Sequence, residues 1–283
     1  MHRSRIVEAL RAQRRHCEGR SPFYVEILRE LEADARAAPW VERLEQAWRG
    51  RTFAVDWEAA HLLLAGMHYA ALAGEAPELA ALYPSCGGNG GEPRGAASAF
   101  LARAPRAFWA RLSGALVQTN EVGRSVAWMV AAAAALGGAP FHLVELGTSA
   151  GLNLAGDHVP QACRFVPEGA APAGWNRPHA VLTRAGLDLH PLHLEHAEDR
   201  LWLKACVWAD DAARLARLDI AMEAFFSLRP RIELRRCSFD DAPEWLLAQR
   251  RPARGEALLV FNAIGTVYLD DEAYGRLARG MAR

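Results

Sequence analysis

Lysine is almost missing from this chain: Lys204 stands alone, and every other basic side chain is arginine. Charge of one sign is missing too, since Lys plus Arg and Asp plus Glu stand at 33 each. No net field therefore draws the protein to nucleic acid or to an anionic membrane. Cysteine is scarce, and Cys17, Cys86, Cys163, Cys206 and Cys237 are odd in number, far apart and never in a C-x-x-C pair. That pattern argues against a disulfide framework and a zinc cluster and fits a reducing cytoplasm. No apolar run approaches the ~20 residues of a membrane span, and the first ten residues lack the apolar core of a signal peptide. The expectation is a cytoplasmic protein with no membrane partner, no nucleic acid and no metal.

What the chain does have is a core. Hydrophobic residues make up 51% of its 283 positions, enough to bury a full interior. Up to about Gly138 the apolar spacing is helical. Helices are expected from Ile6 to Cys17, from Pro22 to Ala38 behind a Ser21 cap, from Asp56 to Ala73, and as one or two helices from Arg106 to Leu136, with a glycine-rich loop from Pro84 to Gly95. After Pro140 short apolar runs alternate with helices, the pattern of a parallel α/β sheet. Strands are expected near 141–146, 180–188, 231–237 and 257–263, and helices near 151–157, 210–228, 241–250 and 271–282. Two domains follow: an all-helical region over 1–138 and an α/β domain over 139–283.

The chemistry concentrates in His142-Leu-Val-Glu-Leu-Gly-Thr-Ser-Ala-Gly-Leu-Asn-Leu154, which reads as strand, tight turn and helix start. Gly147 and Gly151 permit the turn, and the amides of a new helix would face a polar ligand. A P-loop is ruled out because Leu152 and Asn153 follow the second glycine where lysine and serine or threonine are required. A dinucleotide fingerprint is weak because Ser149 fills the middle glycine position. The literal pattern G-x-S-x-G matches a nucleophile elbow with Ser149 as nucleophile. A serine hydrolase, however, needs its histidine after its acid, and the last histidine is His196, crowded against Asp188. His190, His193 and His196 themselves read as loop residues rather than metal ligands.

The pattern strand-Glu-x-Gly-x-x-x-Gly resembles the first motif of class I adenosylmethionine-dependent methyltransferases. That resemblance implies a Rossmann-like parallel sheet with Glu145 near the amino group of the methionine moiety and the turn of Gly147, Ser149 and Gly151 under the cofactor. It also implies Asp188 on the ribose hydroxyls, after an insertion over 158–179, and Asp240 or Asp241 near the adenine. Further residues expected around the pocket are Asn120, Glu121 and Arg124 in the segment before the first strand, together with Asn262 and Tyr268 after the fourth. Gln118, Glu121 and Ser125, like Asn120 and Arg124, are expected to share helical faces there.

Over nearly its whole length the chain resembles the bacterial domain-of-unknown-function 2332 family. The resemblance rests on Gly19-Arg-Ser-Pro-Phe-Tyr24, Gln118-Thr-Asn-Glu-Val-Gly-Arg-Ser125, Val144 to Leu154, Gly186-Leu-Asp-Leu-His-Pro191 and Arg200-Leu-Trp-Leu-Lys-Ala-Cys-Val-Trp208. It implies a helical region on a methyltransferase-like α/β domain, with further strands after the fourth, so that a sheet shortened at its C-terminal edge is expected here. The functional expectation is an adenosylmethionine-binding protein transferring a methyl group to an unknown acceptor, a small molecule being favoured. The alternatives are a non-catalytic ligand-binding or interaction module on the same fold, and the Ser149 hydrolase.

Overall fold

The structure, a computed structural model, describes residues 2–118, 121–229, 231–249 and 251–282. Packing divides the chain into two compact units, Met1–Thr119 with Ala197–Leu215, and Asn120–His196 with Ala216–Arg283. The chain passes between these units three times. The reason lies in which helices find apolar partners where.

The first unit is helical. It holds α1 (Arg3–Cys17), α2 (Pro22–Asp34), α3 (Trp40–Ala47), α4 (Glu58–Leu72), α5 (Pro77–Ala80), α6 (Ala96–Arg103) and α7 (Arg106–Gly114). Ser21 caps α2 by accepting the Tyr24 amide at 3.2 Å, with Pro22 in the first turn, where a missing N–H costs nothing. The Ser21 hydroxyl donates in turn to Asp210 at 2.7 Å. α4 is buried on every side, which makes it the central helix of this unit. It packs on α9 (Ala197–Ala205), and that contact draws 197–215 into the unit. Two α4 histidines receive the end of α9: His61 Nε2 lies 3.0 Å from the Cys206 carbonyl, and His68 Nδ1 lies 3.1 Å from both the Ala205 and Val207 carbonyls. Carbonyls at a helix C-terminus have no partner within the helix, so these imidazoles complete it.

In the second unit four strands, β1 (Phe141–Leu146), β2 (Val181–Asp188), β3 (Ile232–Arg236) and β4 (Ala257–Phe261), form one parallel sheet of order β3-β2-β1-β4. All four lie where the apolar runs predict strands. One face, carrying Val144, Leu146, Ala185 and Leu187, packs on Ala242 and Leu246 of α11 (Ala242–Gln249) and Leu277 of α12 (Asp271–Met281). On β1 the alternate residues Phe141, Leu143 and Glu145 point to the opposite face. There α8 (Val126–Leu136) places Trp128 against Phe141, ring centroids 6.3 Å apart. The remaining helix, α10 (Ala212–Leu228), starts on an Asp211 cap that accepts the Arg214 amide at 2.9 Å.

The span from Arg106 to Leu136 holds two helices, α7 and α8, with a 3-10 turn at Val122–Ser125 between them, so Gln118, Glu121, Ser125 and Arg124 share no α-helical face. Glu121 causes part of this break, because its carboxylate accepts the Gly123 amide at 3.3 Å and meets Arg217 of α10 at 3.1 Å. The segment after the glycine turn, Leu152–His158, is a 3-10 helix. Its carbonyls are taken from outside: Asn153 O by the Trp128 indole at 2.9 Å, Leu154 O by Arg184, and Gly156 O and Asp157 O by Arg164 at 2.9 and 3.0 Å. An α-helix would need several of those acceptors for its own amides.

Candidate functional site

Parallel register aligns Glu145 with Gly186 on β2 and Phe261 on β4, so the chain leaves β1 at the carboxyl end of the sheet's central pair. The turn that follows is tight. Gly147 and Gly151 have φ of +72° and +77°, and a Cβ on Gly147 would lie 3.2 Å from Gly265 Cα and 3.3 Å from the Phe239 ring. Ser149 adopts φ +53°, a left-handed conformation that a residue with a Cβ occupies at a cost.

Glu145 is buried, 1% exposed. Its Oε1 accepts from Asn153 Nδ2 at 2.9 Å and its Oε2 from Thr148 Oγ1 at 2.8 Å. Burial lifts its pKa to about 8, against the lowering effect of those two bonds and of the Arg124 charge, and with a small upward push from Asp188. The acid is an inner brace of the turn. Thr148 and Asn153, its partners, were not singled out by sequence. Gly186 makes their arrangement possible, since a Cβ there would lie 2.5 Å from the Thr148 methyl.

Asp188 holds the same turn from the side. Its Oδ2 accepts the Ser149 amide at 2.7 Å and its Oδ1 the His190 amide at 2.8 Å. The Gly147 and Thr148 amides go to the Leu187 carbonyl at 2.8 and 3.2 Å, and the Gly151 amide goes to Thr148 O at 2.9 Å. These turn amides are bonded within the protein, because the turn is laced to the end of β2. Two buried polar atoms beside it have no partner: Ser149 Oγ and Asn153 Oδ1.

The other foreseen residues divide. Arg124 is half-buried and its charge reaches Glu145. Asn262 is present at the turn as a tie rather than an open pocket group: its Nδ2 donates to the Leu146 carbonyl at 2.5 Å and its Oδ1 accepts from the Thr266 amide at 3.3 Å, joining the ends of β1 and β4. Tyr268 closes the half-buried 3-10 segment Gly265–Tyr268 beyond it. Glu121 is committed to Arg217. Asp240 points outward and pairs with Arg276 at 3.1 Å, while Asp241 accepts the Ser238 hydroxyl at 2.6 Å at the start of α11. Their neighbour Phe239, not an acid, lies against the turn, its ring 3.3 Å from where a Cβ on Gly147 would be. Asn120 lies outside the described residues.

Among the described residues no group of three His, Cys, Asp or Glu side chains is placed to hold a metal ion, and no helix is long and apolar enough to cross a membrane. No histidine bonds the Ser149 hydroxyl. No curated protein and no solved structure matches the chain. A family profile matches residues 7–283, and on that match the chain belongs to the family described as an uncharacterized protein conserved in bacteria (DUF2332).

Proposed function

We propose that the second unit binds a nucleoside cofactor of the adenosylmethionine type at the carboxyl ends of β1 and β2, and serves transfer of its methyl group to a small-molecule acceptor. Asp188 carries this reading. Its two oxygens each accept one backbone amide, and a carboxylate oxygen has a second acceptor site. The group is thereby fixed in direction yet still able to take two hydroxyl donors, the requirement of a ribose diol. The sheet order supports it as well, since the turn leaves β1 where the chain reverses between β1 and β4, and open parallel sheets bind ligands at such reversals.

The residues fit the cofactor with a changed division of labour. Glu145, held largely protonated at neutral pH by burial, braces the turn. Acceptors for the cofactor's ammonium group are offered by Ser149 Oγ and Asn153 Oδ1, whose buried lone pairs have no protein partner. When bound, adenosylmethionine supplies an electrophilic methyl group; this chain's part is to align an acceptor with it and to keep water out, which needs no dedicated base. The alternative of a non-catalytic ligand-binding module on the same fold is favoured by one observation, the internal bonding of the turn's amides.

The test is calorimetric titration of adenosylmethionine and adenosylhomocysteine. Saturable binding is expected for the wild type, weakened at least about tenfold in Asp188→Ala, a loss of ~1.4 kcal/mol, and retained in Asp188→Asn more nearly than in Asp188→Ala. Absence of saturable binding to a folded wild-type sample overturns the cofactor assignment. Binding without methyl transfer to any acceptor in a metabolite extract favours the non-catalytic module.

A further inference from the structure

The helical unit sets a serine hydroxyl against a buried histidine. His68, on the fully buried α4, has its Nδ1 3.1 Å from two backbone carbonyls, Ala205 O and Val207 O. Carbonyls only accept, so Nδ1 bears the proton and Nε2 bears the lone pair. Nε2 lies 2.6 Å from Ser85 Oγ, and the hydroxyl must therefore donate to it. Ser85 is half-buried, at the start of the glycine-rich loop after Tyr83. The Tyr83 ring packs against the imidazole at a tilt of 33°, with centroids 5.3 Å apart.

We propose that Ser85 and His68 form a nucleophile and base pair that reacts with activated carboxylic esters. In the reaction Ser85 Oγ attacks the ester carbonyl as its proton passes to His68 Nε2, forming the Oγ–C bond. The ester C–O bond then breaks, Nε2 returns the proton to the departing alkoxide, and an alcohol leaves. Water, losing its proton to the same nitrogen, cleaves the acyl-serine to the free acid and restores the hydroxyl.

Three features support the pair and limit its substrate. Burial lowers the His68 pKa to about 4, so the imidazole is neutral at neutral pH and a weak base. Its orientation comes from carbonyls and not from a carboxylate, so the imidazolium formed during attack has a weaker counter-charge than in an acid-backed triad. The loop amides of Cys86, Gly87 and Gly88 are already bonded to Tyr83 O and Pro84 O, which leaves them unable to hold an oxyanion. Esters with good leaving groups are therefore the class within reach, and amides are not. The neighbouring Cys86 thiol, 3.9 Å from Ser85 Oγ, is pushed upward in pKa by burial, so serine and not cysteine is the nucleophile.

The experiment treats the full chain with a fluorophosphonate and maps adducts by mass spectrometry, alongside hydrolysis of p-nitrophenyl acetate. Modification is expected at Ser85, at least tenfold faster than at Ser113, an exposed serine whose hydroxyl donates only to Ala110 O. In Ser85→Ala that adduct disappears and ester hydrolysis falls at least tenfold. Equal modification of Ser85 and Ser113 in the folded wild type overturns the proposal, as does unchanged hydrolysis by Ser85→Ala. His68→Gln, if folded by circular dichroism, should lose the Ser85 adduct, and labelling at the wild-type rate overturns the role given to the histidine. Because His68 also completes α9, the ratio of Ser85 to Ser113 in the wild type decides the matter even where that variant does not fold.

Discussion

At Glu145 two good hydrogen bonds, from Asn153 and Thr148, do not offset the loss of bulk water around a buried carboxylate. The consequence is a stability that depends on pH with a definite sign. In the unfolded chain the group ionises near its ordinary value of 4.5, and in the folded chain at about 8. Below the first value it is protonated in both states and imposes no penalty. As pH rises through that window the unfolded state releases the proton more readily, so the folded state loses stability until the upper value is passed. At about 1.4 kcal/mol per pKa unit the loss amounts to roughly 3–5 kcal/mol. Glu145→Gln keeps an acceptor for Asn153 and an N–H for the Thr148 oxygen but cannot ionise. Urea unfolding followed at pH 5 and pH 9 should show the wild type losing a few kcal/mol relative to this variant; equal losses in both would remove Glu145 as the cause. The sequence displayed this acid at the end of a strand, and its place at the turn was legible from that alone. Its protonation state was not, because it depends on Asn153 eight positions away, on Gly186 making room for Thr148, and on Arg124 approaching from before β1.

Among the elements, strands were legible and the segments between them less so. β1 to β4 follow from short apolar runs bounded by turn residues, a signal internal to each segment. The 3-10 segment Leu152–His158 is set by side chains far away in sequence, above all Arg184 of β2, whose guanidinium meets Asp157 with both contacts at 2.8 Å. That pair is almost wholly enclosed, with side-chain exposures of 6% and 1%. Arg276 and Asp240 form a pair of similar chemistry between α12 and the residues leading into α11, with exposures of 45% and 56%. Burial separates their energetic roles. Asp157→Ala leaves a buried guanidinium without its counter-charge and should cost about 3–5 kcal/mol, whereas Asp240→Ala should leave stability nearly unchanged because water screens both partners. Chemical denaturation of the two variants at one pH checks the contrast. Similar costs would mean that Asp157 is reached by solvent and that the segment after the glycine turn is not anchored on β2.

At the scale of the whole molecule, a division read from composition and one read from packing differ in what they predict for a fragment. Composition changes at Pro140, so residues 139–283 look like a separable α/β domain. In the folded chain the second unit begins at Asn120 and excludes Ala197–Leu215. A fragment over 139–283 would lose Trp128, whose ring packs near Phe141 and whose indole N–H holds the Asn153 carbonyl. It would lose Arg124, whose charge favours the ionised form of Glu145, and Glu121, which answers Arg217. It would also carry α9 without α4, exposing the apolar side of a helix whose Trp202, Leu203 and Ala205 are buried, a surface that invites association. Residues 1–138 alone would lack the same α9, and His61 and His68 would lose the carbonyls that they complete. A buried imidazole without its acceptor costs about 1–3 kcal/mol, and the helical fragment holds two. Neither fragment should therefore unfold cooperatively, whereas the intact chain should. Scanning calorimetry and size exclusion on both fragments test this. A sharp thermal transition from monomeric 139–283 would show that the boundary after residue 138 is the physical one, and that the α/β core forms without the segment over 120–138.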